Sequence, residues 1–223
     1  MRKYYEAYDD RYRQVHEKAL QWASDTPSAI VLKAMEKYGI GKEASILELG
    51  CGEGRDAVQL LRRGYALTAT DISPEAIRYC RKKVPEFADN FRVLDCIAGT
   101  LEAKFDFIYA VAVIHMLVED NDRTAFYHFI REHLKERGIA LVCTMGDGTM
   151  EIKSDVSTAF CLQERTHGET GEKLLLAGTS CRMVTRETFL REIRENGLDT
   201  LETGLTSVEP DFPVMLYAIV KKS

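Results

Sequence analysis

The sequence predicts an α/β protein built on a doubly wound, mostly parallel sheet. Three observations lead there. Strand-like and helix-like runs alternate from Ser45 to Thr144. A glycine-rich turn, Gly50-Cys51-Gly52-Glu53-Gly54, joins the first strand to the first helix of that series. Two strand-like runs close the chain, separated by only Glu209-Pro210-Asp211-Phe212-Pro213. Strands and helices alternating at this pitch form βαβ units, which place helices on both faces of a parallel sheet.

Ahead of the alternation, Tyr5, Tyr8, Tyr12, Val15, Ala19 and Trp22 recur at three- and four-residue intervals. That spacing predicts one face of an amphipathic helix. Thr26 reads as the cap of a second helix with Pro27 at its first position, where a missing N–H costs nothing. This helix is expected to run to Tyr38 and stop at Gly39.

Ser45–Leu49 is the first expected strand. After the glycine turn a helix follows over Arg55–Arg63 and stops at Gly64. Ala66–Asp71 is the second strand, and Ser73-Pro74 opens the next helix as cap and first residue. Phe91–Cys96 and Phe105–Val113 are the third and fourth strands. Asn121 or Asp122 is expected to cap a long helix closing near Gly138, ahead of a fifth strand over Ile139–Thr144.

From Gly146 to Val184 the pattern breaks into polar, glycine-containing sequence. A stretch that long is uncommon as a plain connection, so a binding element or a mobile segment is expected. Thr185 caps a last helix ending at Gly197. Thr200–Val208 and Val214–Lys221 then make an antiparallel pair at one sheet edge. The organisation expected is one domain: cap helices over 1–40, a core over 45–145, an insert over 146–184 and a closing unit over 185–223.

Composition narrows the function. The 223 residues are 45% hydrophobic and 29% charged, with a formal net charge of -5, as in an ordinary soluble globular protein. An acidic chain without a long basic run argues against a nucleic-acid partner, whose phosphates need clustered Lys and Arg. The six cysteines include no C-x-x-C pair, so neither a disulfide framework nor a metal site is expected. The opening residues lack a signal-type apolar stretch, and Phe105–Val118 is too short to span a bilayer. A cytoplasmic protein without a membrane partner is the expectation. The sequence sets no oligomeric state.

The glycine turn has a physical use. Glycines let the backbone turn sharply and a ligand approach closely, and the following helix N-terminus favours negative charge. An acid at the end of the second strand can accept both hydroxyls of a ribose, and Asp71 stands there, 23 residues beyond Glu48, close to the separation expected of dinucleotide sites. Gly52-Glu53-Gly54-Arg55-Asp56-Ala57 also fits the nicotinamide pattern G-x-G-x-x-A, so that cofactor is a competing reading.

Glu48-Leu49-Gly50-Cys51-Gly52-Glu53-Gly54 closely resembles motif I of the class I S-adenosylmethionine-dependent methyltransferases, in particular the small-molecule, type 11/12/25-like members. Their Rossmann-like sheet has seven strands with the last antiparallel, and N-terminal helices serve as a lid. The resemblance implies S-adenosyl-L-methionine as cofactor. It implies that Glu48 serves the methionyl amine side, with Gly50, Cys51, Gly52 and Gly54 forming the turn. Asp71, with Ile72 beside it, resembles the ribose acid. Asp95-Cys96 falls where the family contacts adenine. Phe105-Asp106-Phe107-Ile108-Tyr109-Ala110 resembles its fourth-strand signature, in which the carbonyl near Ala110 receives the methionyl ammonium. Val113-Ile114-His115-Met116-Leu117 resembles a segment of small-molecule members.

The activity implied is methyl transfer to a small molecule by in-line displacement. Tyr12 is expected over the cofactor, and His115, Arg55 and Trp22 toward the acceptor. Tyr5, Tyr8, Tyr12 and Trp22 together suggest a lid helix, and the 146–184 insert suggests an acceptor pocket. No general base is identified. Ala110-Val111-Ala112-Val113 replaces the Asn/Asp-Pro-Pro-aromatic motif of nucleic-acid and glutamine N-methyltransferases, which argues against those acceptors. Cys161 and Cys181 in the insert leave open a thiol or soft metalloid acceptor. Two other readings stand beside the enzyme: a non-catalytic cofactor-binding sensor or partner subunit, and a nicotinamide-dependent oxidoreductase.

Overall fold

The computed structural model describes residues 2–168 and 170–223. Its main sheet has seven strands in the order β10-β11-β5-β4-β1-β2-β3. These are β1 (Ile46–Leu49), β2 (Leu67–Asp71), β3 (Phe91–Val93), β4 (Phe105–Val111), β5 (Leu134–Met145), β10 (Leu198–Val208) and β11 (Phe212–Lys222). β1 to β5 pair in parallel, and β11 is antiparallel to both β5 and β10. The doubly wound sheet with an antiparallel last strand is the architecture the alternation predicts.

Successive side chains on a strand face opposite sides, and each side is covered by its own helices. Ile46, Phe107, Tyr109, Leu141 and Ile219 face α2 (Ala29–Lys37), α3 (Arg55–Arg62) and α4 (Pro74–Lys83). Leu47, Ile108, Ala110, Val142 and Leu216 face α5 (Asp120–His133) and α6 (Arg186–Glu195). Such two-sided burial explains the near-continuous apolar runs of β1 and β4. Two caps expected from sequence form: Ser73 Oγ accepts the Ala76 N–H at 3.0 Å, and Thr185 Oγ1 accepts that of Thr188 at 3.2 Å.

Several boundaries differ from expectation. The first helix, α1 (Ala7–His16), ends before Trp22, because Ala19 turns the chain at φ 57°. α2 starts at Ala29 rather than after Thr26, and Ser28 stands at its N-cap. The Ser28 hydroxyl donates to Asp56 at 2.7 Å instead of capping. β3 stops at Val93, where Asp95 Oδ1 accepts the Ile97 N–H at 2.8 Å and starts a turn. β4 stops at Val111, ahead of Ala112 at φ 60°.

Glu119, not Asn121 or Asp122, occupies the N-cap of α5, which ends at His133. Gly138 lies inside β5, where a Cβ would come within 2.8 Å of the Phe105 carbonyl.

The 146–184 stretch carries two short strand pairs. β6 (Ile152–Lys153) pairs with β9 (Arg182–Met183), and β7 (Leu162–Thr166) with β8 (Lys173–Ala177), both antiparallel. Val15 of α1 packs with Leu174 and Leu176 of β8. The Arg11 guanidinium donates to the Ala177 and Gly178 carbonyls, each at 2.8 Å from Nη2. No helix among the described residues is long and apolar enough to cross a membrane.

Candidate cofactor site

The site forms at the carboxyl ends of β1, β2 and β4. Gly50, Gly52 and Gly54 all have positive φ, at 70°, 52° and 83°. Gly50 also has no room for a side chain, since a Cβ there would lie 2.4 Å from Val113 Cγ2. Asp71 fastens this turn to β2: its Oδ2 accepts the Gly52 N–H and its Oδ1 the Ser73 N–H, each at 2.8 Å. Burial raises the Asp71 pKa to about 6, against the opposing pull of these backbone donors.

Asp95 stands across from Asp71 on the stretch after β3. Its Oδ1 is held by the 97–98 turn, while Oδ2 accepts from the Tyr5 hydroxyl, at 3.5 Å. Burial pushes the neighbouring Cys96 thiol up to about 12. A cavity of about 70 Å³ lies between these groups, and its walls include Gly50, Asp71, Ile72, Asp95, Cys96 and Tyr12. The structure thus brings together six of the residues singled out in the sequence. Val113, Met116 and Leu117 close it from the segment after β4.

α1 and the turn of helix over Tyr4–Glu6 just before it form the roof, with Tyr5, Tyr8 and Tyr12 facing the cavity. The Tyr12 hydroxyl lies 2.7 Å from where a Gly52 Cβ would stand. The Tyr4 hydroxyl anchors the front of the roof, accepting the Val118 N–H at 2.8 Å and donating to Asp122 at 2.7 Å. The back is anchored at His16, whose Nε2 lies 2.9 Å from Glu53 and whose Nδ1 lies 2.7 Å from Glu75.

Other expected site residues lie elsewhere. Glu48 is buried on the α3 side beside its register partner Tyr109, with Oε2 unpartnered, and burial followed by the nearby Asp56 raises its pKa well above the usual range. Cys51 is buried, and its Sγ approaches the Gly52 carbonyl at 3.8 Å. Gly54 packs against Cys80 and faces a second cavity. Ala110 is enclosed in the layer under α5 and α6.

Arg55 pairs with Asp211 of the β10–β11 turn at 3.2 Å and also faces that second cavity. Trp22 packs on the Arg11 guanidinium, 4.8 Å away, outside the roof. His115 stands next to cavity residues Val113 and Met116 but turns edge-on to Phe212, with ring centroids 5.9 Å apart. Burial, then Arg123, lowers its pKa to about 4, so the ring is neutral, and its Nδ1 has no protein partner among the described residues.

Two important groups gave no recognisable sequence signal. Arg123 is almost wholly buried; it forks onto Glu192 at 2.8 and 2.6 Å and donates to the Ile114 carbonyl at 2.8 Å, which fixes the turn after β4. Glu53, inside the glycine turn, also accepts the Trp22 and Ala23 amides at 2.8 and 2.7 Å. Its place between two glycines was visible, but its partners are brought in by folding.

Residues 46–138 match the family model described as a methyltransferase domain. Among curated relatives, the O-antigen chain terminator bifunctional methyltransferase/kinase WbdD of Escherichia coli is 32% identical over 85 residues, covering 35% of this chain and 12% of that protein. The malonyl-[acyl-carrier protein] O-methyltransferase 1 of Ilyobacter polytropus is 27% identical over 125 residues, covering 54% and 46%. The chain therefore spans less than half the length of either relative. Among solved structures, the CcbJ methyltransferase from Streptomyces caelestis superposes with a TM-score of 0.72 over 100% of both chains at 14% identity. The glycopeptide N-methyltransferase MtfA complexed with sinefungin gives 0.64 at 18% identity, covering 91% of this chain and 96% of that one. The domain match over residues 46–138 and the fold shared with these methyltransferase structures agree with the resemblance read from the sequence to the class I S-adenosylmethionine-dependent methyltransferases.

Proposed function

We propose that this protein binds S-adenosyl-L-methionine and transfers its methyl group to a small-molecule acceptor, leaving S-adenosyl-L-homocysteine. The observation that carries the reading is the pairing of Asp71 and Asp95 across one cavity floored by Gly50. Each carboxylate is pinned by backbone N–H groups through one or both oxygens. Asp71 retains lone pairs for two ribose hydroxyls, and Asp95 Oδ2, with a long 3.5 Å contact from the Tyr5 hydroxyl, retains one for an adenine amino group. Glycine at position 52 leaves its upper face open to a methionyl tail once the Tyr12 ring moves aside. The cavity of about 70 Å³ is below the roughly 300 Å³ of ordinary ligand sites, so the roof shifts to admit a ligand.

When bound, the cofactor supplies a methyl on a sulfonium, which is already electrophilic. The protein's share is alignment and exclusion of water. The turn held by Arg123 places Val113, Met116 and Leu117 against the cavity, and α1 covers it. Neutral His115, beside that wall, can accept a proton or a hydrogen bond from an acceptor group. In this reading the 146–184 insert shapes the acceptor side, since it follows β5 at the sheet's carboxyl edge. Glu48 acts as a buried support of the turn. A net charge of -5 favours a small acceptor over nucleic acid, and a cytoplasmic setting suits six free cysteines.

The test is methyl transfer from labelled S-adenosyl-L-methionine across a panel of amine, hydroxyl, carboxylate and thiol acceptors. Turnover on any class supports an enzyme. Tight cofactor binding with no turnover on the whole panel favours the sensor.

A further inference from the structure

The roof helix α1 ends on a histidine held between two carboxylates from different elements. His16 Nε2 is 2.9 Å from Glu53 Oε1 on the glycine turn, and Nδ1 is 2.7 Å from Glu75 Oε1 on α4. The histidine side chain is 6% exposed, and those of Glu53 and Glu75 are 1% and 10%. The imidazole is stacked on Tyr79 of α4, with centroids 4.4 Å apart, and lies 5.9 Å from the Tyr12 ring of its own helix.

Both carboxylates are bound to other donors. Glu53 accepts the Trp22 and Ala23 amides, and Glu75 pairs with Arg78 at 2.6 Å. Asp9, one face up α1, accepts the Glu75 amide at 3.0 Å and the Ser73 hydroxyl at 2.7 Å. Lys83 reaches the Glu53 carbonyl at 3.5 Å.

A neutral imidazole has one N–H and one lone pair. It can donate to one of these carboxylates but then turns a lone pair toward the other at under 3 Å. Only the imidazolium donates to both.

We propose that His16 is a positioning residue that works as a proton-operated latch: protonated, it ties the roof helix to both the glycine turn and α4, and deprotonated, it releases one of them. Burial opposes the charge, but the bonds to Glu53 and Glu75 outweigh it and raise the pKa above the ordinary 6.5. The sign follows from linkage. The latch is complete below pH 6.5 and is lost as pH rises through the higher value of the folded protein. Glu53 lies between Gly52 and Gly54, so the latch bears on the turn that floors the cavity, and its release loosens the roof over it.

Trp22 is the only tryptophan, and its amide donates to Glu53, so its emission reports the latch without any ligand. The first measurement is Trp22 fluorescence of the free protein from about pH 6 to about pH 9. The wild type shows one step above 6.5. His16→Gln, which cannot titrate, shows none. Glu75→Gln keeps the histidine but removes one anion, and moves the step to lower pH. A wild type without a step, a step surviving in His16→Gln, or a step unmoved in folded Glu75→Gln overturns the latch.

The second measurement rests on the cofactor reading above. Release of S-adenosyl-L-homocysteine in a stopped-flow chase is about tenfold faster above the step than below it, as expected for one lost charge-assisted hydrogen bond, and His16→Gln is fast throughout. A release rate flat with pH in a protein that shows the step overturns the coupling to the site. If the step appears but the ligand does not bind, the latch stands and the cofactor reading falls.

Discussion

The Asp71 carboxylate meets the Gly52 amide at 2.8 Å, so the acid ending β2 and the turn following β1 form one unit. The same side chain holds the Ser73 amide at the cap of α4. Asp71→Ala therefore loses structure and binding together. Two unmade backbone bonds cost about 1–3 kcal/mol of stability, read from denaturant unfolding. Cofactor affinity falls about 100-fold, from the two lost charge-assisted ribose bonds.

Gly50→Ala places a methyl in left-handed backbone and within 2.4 Å of Val113 Cγ2. We expect a loss of about 2–4 kcal/mol, from roughly 1–2 for the backbone and the rest for overpacking. Adding Val113→Ala relieves the clash but not the backbone cost, so the double variant recovers about half of the loss relative to Val113→Ala alone. Thermal or urea unfolding of the four proteins completes the cycle.

Asp71 also sets a pH limit. In the free protein its pKa is raised to about 6, so the fold itself gains from protonation as pH falls through 6. Ribose hydroxyls donate to the carboxylate and favour the charged form. Affinity for S-adenosyl-L-homocysteine is then level above about pH 6 and falls up to tenfold per pH unit below it. Calorimetry in buffers of matched ionic strength checks this, together with proton uptake or release on binding.

How much of this was legible follows from where each signal sits. Gly50, Gly52, Asp71 and the Ser73 cap are local patterns, because turn geometry and strand ends constrain a few adjacent residues. The residues whose partners are distant were not legible. Arg55 finds Asp211 across most of the chain. Trp22 followed the helical spacing of Tyr5 to Ala19, yet Ala19 at φ 57° takes it off the helix. The strands of the 146–184 segment gave no periodic signal because β7 faces outward, while β8 packs against α1.

Arg123 is a further case of a distant partnership with a measurable cost. It carries its charge almost fully buried against Glu192 and the Ile114 carbonyl. Arg123→Ala leaves Glu192 unpaired and the 114–116 turn unheld, at a cost of about 3–5 kcal/mol. Guanidinium unfolding measures it. Arg123→Lys does not restore the loss, since it lacks the fork that reaches both partners.

The roof also has a direct test. Deleting residues 1–28 removes Tyr5, Tyr8 and Tyr12 from the cavity and uncovers Leu174 and Leu176. A shortened chain that retains its circular dichroism binds S-adenosyl-L-homocysteine at least tenfold more weakly, an estimate of about one aromatic cover lost per factor of ten. Undiminished affinity would remove the roof from the account.

The central claim is that the cavity between Asp71 and Asp95 is an adenosyl cofactor site. The most direct measurement is calorimetric titration of S-adenosyl-L-methionine, S-adenosyl-L-homocysteine and NAD, each into the wild type and into Asp71→Ala. An adenosyl site between Asp71 and Asp95 binds the two adenosyl-sulfur ligands, more weakly in Asp71→Ala, and does not bind NAD. Binding of NAD alone, or of none of the three, would contradict it and leave the glycine turn a purely structural one.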